Sequence, residues 1–527
     1  MKSSNKVEFG DFQTPPALAR DVCKLILRLG EKPDVIAEPT AGRGAFLVAA
    51  AGTFSSAALR GWDINADYVR EATNALNDIG ASPRGLIACQ DFFSYDWESE
   101  LAALDGNLLL LGNPPWVTNS GVAVVNGTNL PAKENFLGLR GIAARTGKSN
   151  FDISEWMLIR LLRALRGRTA TLATLCKTAT ARKFLRYAWQ NDGRIATAAI
   201  YRIDAALHFD AAVDACLLFL RTGATGPNEA DVYPSLSAAE PAARIGLAGH
   251  ELVADIHSYR ALRHLEGLSP FRWRSGVKHD CAAVMELRPT ADGDIENTAG
   301  ERLELEPNYL FPLLKCSDLA NGRITPERVV LVTQRFVGDD TAKIGETAPR
   351  TWSYLQSHRD RFLARKSSIY KGRVPFALFG IGEYAFAPWK VAVSGLHRSA
   401  RFQLIPPHRG HPVFFDDTCY YLPFEREEDA RLVTEILNSA SCQRFLLSLI
   451  FPDSKRPITV DLLQRLNLAA IADEAGFGLR WRQLQKSAFC VTSEVPQMEL
   501  VMETPSEYKV KNRARKRSVT PPVGKLI

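Results

Sequence analysis

Short, continuous apolar runs alternate with helical stretches through the first 225 residues, and this alternation narrows the fold more than any other feature of the chain. "DVIAEPT" is a strand running into a loop, with "GAFLVAAA" as the helix after it. "AALRGWDIN" is a second strand, followed by a helix from Asp67 to Ile79. "GLIACQD" and "LLLLGN" are the third and fourth strands. "ISEWMLIRLLRAL" is a strongly apolar helix with a basic outer face, and "RTATLATLC", "RIATAAIYRI" and "DACLLFLRT" complete the set. Strands without polar alternation, separated by helices, imply parallel strands buried on both faces. The fold class is therefore α/β, an open sheet with helices on both sides. Only the short "DAALHFDAAV" separates the last two strands, which predicts a closing antiparallel hairpin. The polar, Gly-rich stretch from Asn119 to Asn150 lies between a strand end and a helix, where long loops are usually functional. At residues 221–234 the composition breaks. Residues 240–495 read as a second, mixed α+β domain, and residues 503–527 as a basic, disordered tail.

Composition removes several classes. A chain of 527 residues with 46% hydrophobic and 23% charged residues is an ordinary globular protein of two or three domains. No run approaches the ~20 apolar residues of a membrane span, and "MKSSNKVEFGDFQTPP" has no signal-peptide core. Nine cysteines, scattered and without a CxxC pair, favour a reducing cytoplasm and argue against a zinc site. The net charge of +7 is not evidence for a nucleic-acid partner. Six basic residues (Lys509, Lys511, Arg513, Arg515, Lys516 and Arg517) sit in the tail and leave the body close to neutral.

Ligands of open α/β sheets bind beyond the carboxyl ends of the strands, so the residues there carry the argument. Gly42 and Gly44 follow strand one in "EPTAGRGAF". Asp63 follows strand two, placed to accept from ribose hydroxyls. Asp91 follows strand three, placed to accept from an adenine amine, with the Phe92 ring beside it. Singly, these also read as a strand–helix turn, helix caps or solvated loop residues. Together they outline a pocket for an adenosine-bearing cofactor. No phosphate-binding GxxxxGK[ST] is present. The loop carries the carboxylate of Glu38, which repels pyrophosphate and suits an ammonium or sulfonium, and this points to S-adenosylmethionine rather than NAD or ATP. After strand four comes Asn113-Pro114-Pro115-Trp116. The prolines stiffen the loop and lack N–H groups. The amide oxygen of Asn113 and the carbonyl of Pro114 are acceptors able to grip an NH2 group, and Trp116 offers a face for a planar base. As plain structure, the same residues make a rigid Pro-Pro turn with Trp116 in the core.

The order of these motifs resembles the gamma class of amino-methyltransferases, the N6-adenine DNA methyltransferases. "FQTPPALA" resembles the family's methionine-binding segment, with Thr14 holding the cofactor carboxylate. "EPTAGRGAF", with Glu38, Gly42, Gly44 and Phe46, resembles the cofactor loop. "WDIN" and "QDFF" supply Asp63 and Asp91, and "GNPPW" resembles the catalytic (N/D)PP(Y/F/W) signature, although Tyr or Phe is commoner at Trp116. "SNFDISEWMLIRLL" and "TLATLCKTATARKFLR" resemble the helix and strand that follow. In "LHFDAAVDACLLFL", Phe209 corresponds to the family's Phe that packs on the extruded adenine opposite Trp116. The resemblance covers residues 9–221. It implies a Rossmann-like methyltransferase domain over residues 1–225, S-adenosylmethionine as cofactor, and transfer to a base flipped out of double-stranded DNA.

The second half resembles the specificity domain of the same enzymes more loosely, in "WRSGVKHDCAAVMEL", "LEPNYLFPLLKCSDL", "EYAFAPWKVAVSGLH" and "EILNSASCQRFLLS". That implies a DNA target-recognition domain over residues 240–495. Within it, the basic stretch of His358, Arg359, Arg361, Arg365, Lys366, Lys371 and Arg373, interleaved with Trp352, Tyr354 and Tyr370, is the expected phosphate-contact patch; a solvated helix face is its plainer reading. His208, His279 and His358 have no ligand spacing, and Cys176 and Cys216 read as buried filler. Partners expected are double-stranded DNA and a cognate restriction enzyme or defence-system subunits, with no membrane. Two other functions fit the sequence less well: a methyltransferase acting on RNA or a protein glutamine, whose members are usually shorter, and a non-catalytic DNA-binding scaffold, against which the intact Asn113, Asp63 and Asp91 argue.

Overall fold

In a computed structural model, which describes residues 12–117 and 152–488 apart from 192, 291 and 293, the four leucines of "LLLLGN" are buried at every position of one strand. Leu108 and Leu110 point into one core and Leu109 and Leu111 into another, because successive strand residues face opposite sides. The stretch 119–150 and the tail 503–527 lie outside the described residues.

The first core contains Trp97 and Leu101 from α4 (Trp97–Ala102), Met157 and Leu158 from α5 (Ile153–Ala164), and Phe184 and Leu185 from α6 (Thr178–Gln190). The second contains Leu18, Val22 and Ile26 from α1 (Pro16–Arg28), Phe46 and Leu47 from α2 (Ala45–Thr53), and Leu76 from α3 (Ala66–Asp78). The sheet between them has ten strands in the order β10-β9-β8-β6-β7-β5-β4-β1-β2-β3. The strands β1 (Val35–Glu38), β2 (Ala58–Asp63), β3 (Gly85–Cys89), β4 (Leu108–Gly112) and β5 (Ala170–Lys177) run parallel. β6 (Ile195–Ile203) and β7 (Ala215–Thr222) form the predicted antiparallel hairpin, joined through the short helix α7 (Ala205–Phe209). From β1 the chain moves outward to β2 and β3, then returns to add β4 on the other side. The carboxyl ends of β1 and β4 therefore flank a switch point, where such sheets bind ligands.

The sheet does not stop at the break in composition expected to close the first domain at residue 225. β8 (Glu229–Tyr233) pairs in parallel with β6, and β9 (Ala243–Ala248) and β10 (Glu251–Val253) extend the same sheet antiparallel. β8 alternates buried and half-buried residues, so it lacks the continuous apolar run that marks the inner strands.

Beyond Val253 the architecture is mixed α+β, as expected. The strands are β11 (Arg274–Ser275), β12 (Glu286–Pro289), β13 (Ile295–Asn297), β14 (Arg302–Leu303), β15 (Leu310–Leu314), β16 (Arg328–Leu331), β17 (Trp389–Ser394), β18 (Gln403–Ile405), β19 (Phe414–Phe415) and β20 (Cys419–Phe424). A six-stranded sheet has the order β14-β13-β12-β16-β15-β19 and a four-stranded sheet the order β11-β20-β17-β18. In the latter, β17 and β20 pair along their whole lengths. Their Val391, Val393 and Leu422 pack under helices Glu427–Leu437, Ala440–Leu449, Leu468–Glu474 and Gly478–Ala488. Val253 and Ile256 join that core, so the end of the first sheet is anchored in the C-terminal half.

Candidate active site

Glu38 closes β1 and is 2% exposed. Its Oε2 is buried and has no hydrogen-bond partner among the described residues. Burial first, and the negative charge of Asp63 second, push its carboxyl well above the usual range. An orphaned carboxylate oxygen in this position lacks a cation or donor, and an ammonium group satisfies it.

Asp63 ends β2. Its two carboxylate oxygens accept from the backbone N–H of Gly42 and of Asn65, each at 2.8 Å. It thus ties the glycine loop to the second strand, and a sugar would share those oxygens. Gly42 and Gly44 both lie at positive φ, +50° and +79°. The space a Cβ would fill is already taken: at Gly42 by the Gln13 amide, at Gly44 by the Cβ of Ala72, both at 2.7 Å. Glycine at both positions permits the tight turn, and it also lets Gln13 and Ala72 pack against the loop. Asp91 accepts from the N–H of Phe93 at 3.0 Å and from the Ser94 hydroxyl at 3.4 Å, capping its own turn. The Phe92 ring lies in the core, 4.8 Å from that of Trp97, rather than standing as an open ring face. It lines a cavity of about 20 Å³ with Pro39, Thr40, Gly112 and Pro114, room for roughly one water.

The segment "FQTPP" bridges the glycine loop and the Asn113 loop. Pro16 opens α1 at its first turn, where a missing N–H costs nothing, and this sets Thr14 directly before the helix. Gln13 Oε1 accepts from the Arg43 N–H at 3.1 Å. Asn113 Nδ2 donates to the Phe12 carbonyl at 2.8 Å and to Thr14 Oγ1 at 3.3 Å. With its amide nitrogen so held, Asn113 Oδ1 is buried and has no partner among the described residues. Gly112, just before it, lies 3.8 Å (from an ideal Cβ position) from the side chains of Glu38 and Thr40. Glu38, Asp63, Gly42, Thr14 and Asn113 therefore form one connected group at the switch point. Gln13 and Lys177, which bond to the glycine loop and to the Asn113–Trp116 loop, carry no local signal in the sequence that marks them for this place.

Trp116 and Phe209 do meet, but not as a preformed slot. Their ring centroids are 4.9 Å apart at 65°, edge to face, and Phe12 adds a third ring 5.7 Å from Trp116 and 6.2 Å from Phe209. The three rings pack on one another in the edge-to-face and tilted arrangements that aromatic pairs favour.

The expected phosphate patch is split by the fold. Arg365 stacks 3.6 Å over the Tyr370 ring and donates to the carbonyls of His279 and Ala377. Tyr354 is buried and donates to the Val284 carbonyl, Trp352 packs edge-on against Phe376, and His358 pairs with Glu301. Apolar surface at those positions is what pulls them inward. Arg359, Arg361, Lys366, Lys371 and Arg373 remain exposed. Cys176 and Cys216 are buried cross-strand neighbours. His279 accepts from the Cys281 N–H. Among the described residues no cluster of His, Cys, Asp or Glu could hold a metal, and no helix is long and apolar enough to cross a membrane.

No protein-family model matches the chain. Over 474 residues it is 42% identical to the Type II methyltransferase M.NspV of Nostoc sp. (strain ATCC 29411 / PCC 7524), covering 89% of this chain and 98% of that protein. The structure of the Type IIL restriction-modification enzyme MmeI in complex with DNA superposes with a TM-score of 0.51 over 93% of this chain and 80% of that one. At 12% identity that likeness is one of fold.

Proposed function

The chain belongs to the Type II methyltransferases, and from that premise we propose that it methylates the N6 amine of an adenine flipped out of double-stranded DNA. It is a DNA methyltransferase whose cofactor is S-adenosylmethionine. The observation that carries the adenine-amine reading is Asn113: its donor end is tied to Phe12 and Thr14, and its buried acceptor end has no donor among the described residues.

The residues present fit the cofactor. Glu38 receives the ammonium, which relieves the orphaned Oε2. The Thr14 hydroxyl accepts from Asn113, so its own proton is oriented to donate to a carboxylate. Asp63 and Asp91 serve the sugar and the adenine. When bound, the cofactor supplies an electrophilic methyl on a sulfonium sulfur. Asn113 Oδ1 and the Pro114 carbonyl accept the two hydrogens of the target amine and draw its nitrogen toward tetrahedral geometry, which aims the lone pair. Most of the rate enhancement is then positioning and polarisation. Base entry must part Trp116 from Phe209 and displace Phe12. Unstacking a base costs a few kcal/mol, and stacking on an aromatic ring returns about 1–3 kcal/mol. The exposed Arg359, Arg361, Lys366, Lys371 and Arg373 contact phosphates. The cognate partner is the restriction enzyme whose site this chain protects.

Expression in a methylation-free host, followed by long-read sequencing of its DNA, tests the proposal. N6-methyladenine at one short motif is expected, lost in Asn113→Ala, whose cofactor binding by calorimetry persists. Methyl groups on cytosine, on RNA or on protein instead, or an Asn113→Ala variant with most of its activity, would overturn it.

A further inference from the structure

We propose that Lys177 is a positioning residue for methyl transfer, holding the Asn113–Trp116 loop and the Phe209 turn at a set spacing; this rests on the methyltransferase reading above. The register carries the first step. Gly112, the last residue of β4, pairs with Thr174 of β5, and β5 continues to Lys177. The strand therefore overruns its neighbour and lies alongside the loop that follows Gly112.

At that end, the Lys177 ammonium donates to the Trp116 carbonyl at 2.7 Å and to Asp152 Oδ2 at 2.6 Å. Asp152 is the N-cap of α5, accepting from the N–H and hydroxyl of Ser154 through its other oxygen. The first N–H of that helix, Ile153, donates to the Val117 carbonyl at 2.9 Å. The loop is thus gripped at its front by Phe12 and Thr14 on Asn113, and at its back by Lys177 and Ile153 on two successive carbonyls. On its other side, Lys177 pairs with Ala215 of β7, and the next residue, Thr178, donates to the Asp214 carbonyl at 3.0 Å. The turn ending at Asp214 carries Phe209. One residue therefore stands between the segments bearing the rings of Trp116 and Phe209.

The lysine side chain is 23% exposed and the Asp152 side chain 7%. A charge-assisted bond to a carbonyl in such a place is short, directional and strong. It fixes the peptide plane after Trp116, and through it the indole and the Pro114 carbonyl two residues back. Lys177 is ion-paired and makes no contact with Glu38, Asp63 or Thr14 among the described residues, so its effect belongs on the catalytic step and not on cofactor affinity.

Lys177→Met leaves Asp152 buried without its cation, so loss of folding would confuse the result. The double variant Lys177→Met/Asp152→Asn removes both charges and keeps the size of each side chain. Four readouts are expected for it. Thermal stability returns to near that of the parent. The kcat for DNA methylation falls about a hundred-fold, the size of effect that follows from misplacing reacting groups by an ångström. The cofactor Kd stays within about two-fold, since a change confined to kcat leaves ground-state binding intact. Hydrogen–deuterium exchange of the peptide spanning residues 112–117 becomes faster than in the parent. A double variant with parental kcat and parental exchange would overturn the proposal and reduce Lys177 to a counter-ion for Asp152. If the parent itself transfers no methyl group to DNA, the methyltransferase reading fails, and the exchange experiment alone decides the role of Lys177.

Discussion

Asn113 turns its two ends to opposite duties, and Glu38 beside it is the residue whose electrostatics respond most directly to a ligand. Burial and the nearby Asp63 raise its carboxyl above the ordinary value of 4.5. The contribution of Glu38 to stability is therefore full below that value and falls as pH rises through the raised value, because the folded state holds a proton that the unfolded chain has lost. Glu38→Gln removes this fall. The expected outcome is a higher melting temperature than the parent at neutral pH and no difference in acid, with cofactor affinity lost at all pH values; melting curves and calorimetry across pH check it. The types of these residues were legible, since a carboxylate and an amide at strand ends imply their chemistry. Their partners were not: Asn113 is held by Phe12 and Thr14, and Lys177 by Trp116, contacts that join segments far apart in the chain. Nothing local marks Lys177 as other than a surface lysine at a strand end.

Helix α2 begins at Gly44, which caps it in the left-handed conformation and lies against α3. Glycine there answers two demands at once. An alanine would be strained at φ +79° and would put its Cβ 2.7 Å from that of Ala72. Gly44→Ala should cost about 2–4 kcal/mol, since backbone strain and overpacking are each worth about 1–3 kcal/mol. Gly44→Ala/Ala72→Gly should recover only the clash. Urea unfolding of the two variants separates the conformational part from the contact. At this scale the periodicity worked well for β1 to β7: strands buried on both faces, such as β4 and β5, are apolar throughout, and the half-buried edge strand β3 still carries a short apolar run. It failed at β8 to β10, where half-buried strands mix with polar residues, so the sheet ends at Val253 and not at residue 225.

The two halves of the molecule are joined by a buried ion pair. Arg182, in the helix that follows Lys177, pairs with Asp453, and its guanidinium lies 4.5 Å over the Phe451 ring. Both side chains are almost wholly buried, 11% and 2% exposed. Asp453→Ala strands the arginine, and a loss of about 3–5 kcal/mol is expected. The double variant with Arg182→Met should regain most of it, as judged by denaturant midpoints. The basic stretch 358–373 shows the same dependence on the whole: two of its seven basic residues, His358 and Arg365, turn inward onto Glu301 and onto backbone carbonyls, and the neighbouring Tyr354 is buried beside them. What the sequence determined by itself was the α/β sheet, the succession of its strands along the chain, and the residue types waiting at their carboxyl ends, because apolar periodicity and strand-end chemistry are local properties. Only the tertiary structure decided which acceptors stand free, how the three rings pack, and where the lysine and arginine cations find their carboxylates. Those depend on desolvation and on contacts between residues tens or hundreds of positions apart, which no local pattern encodes.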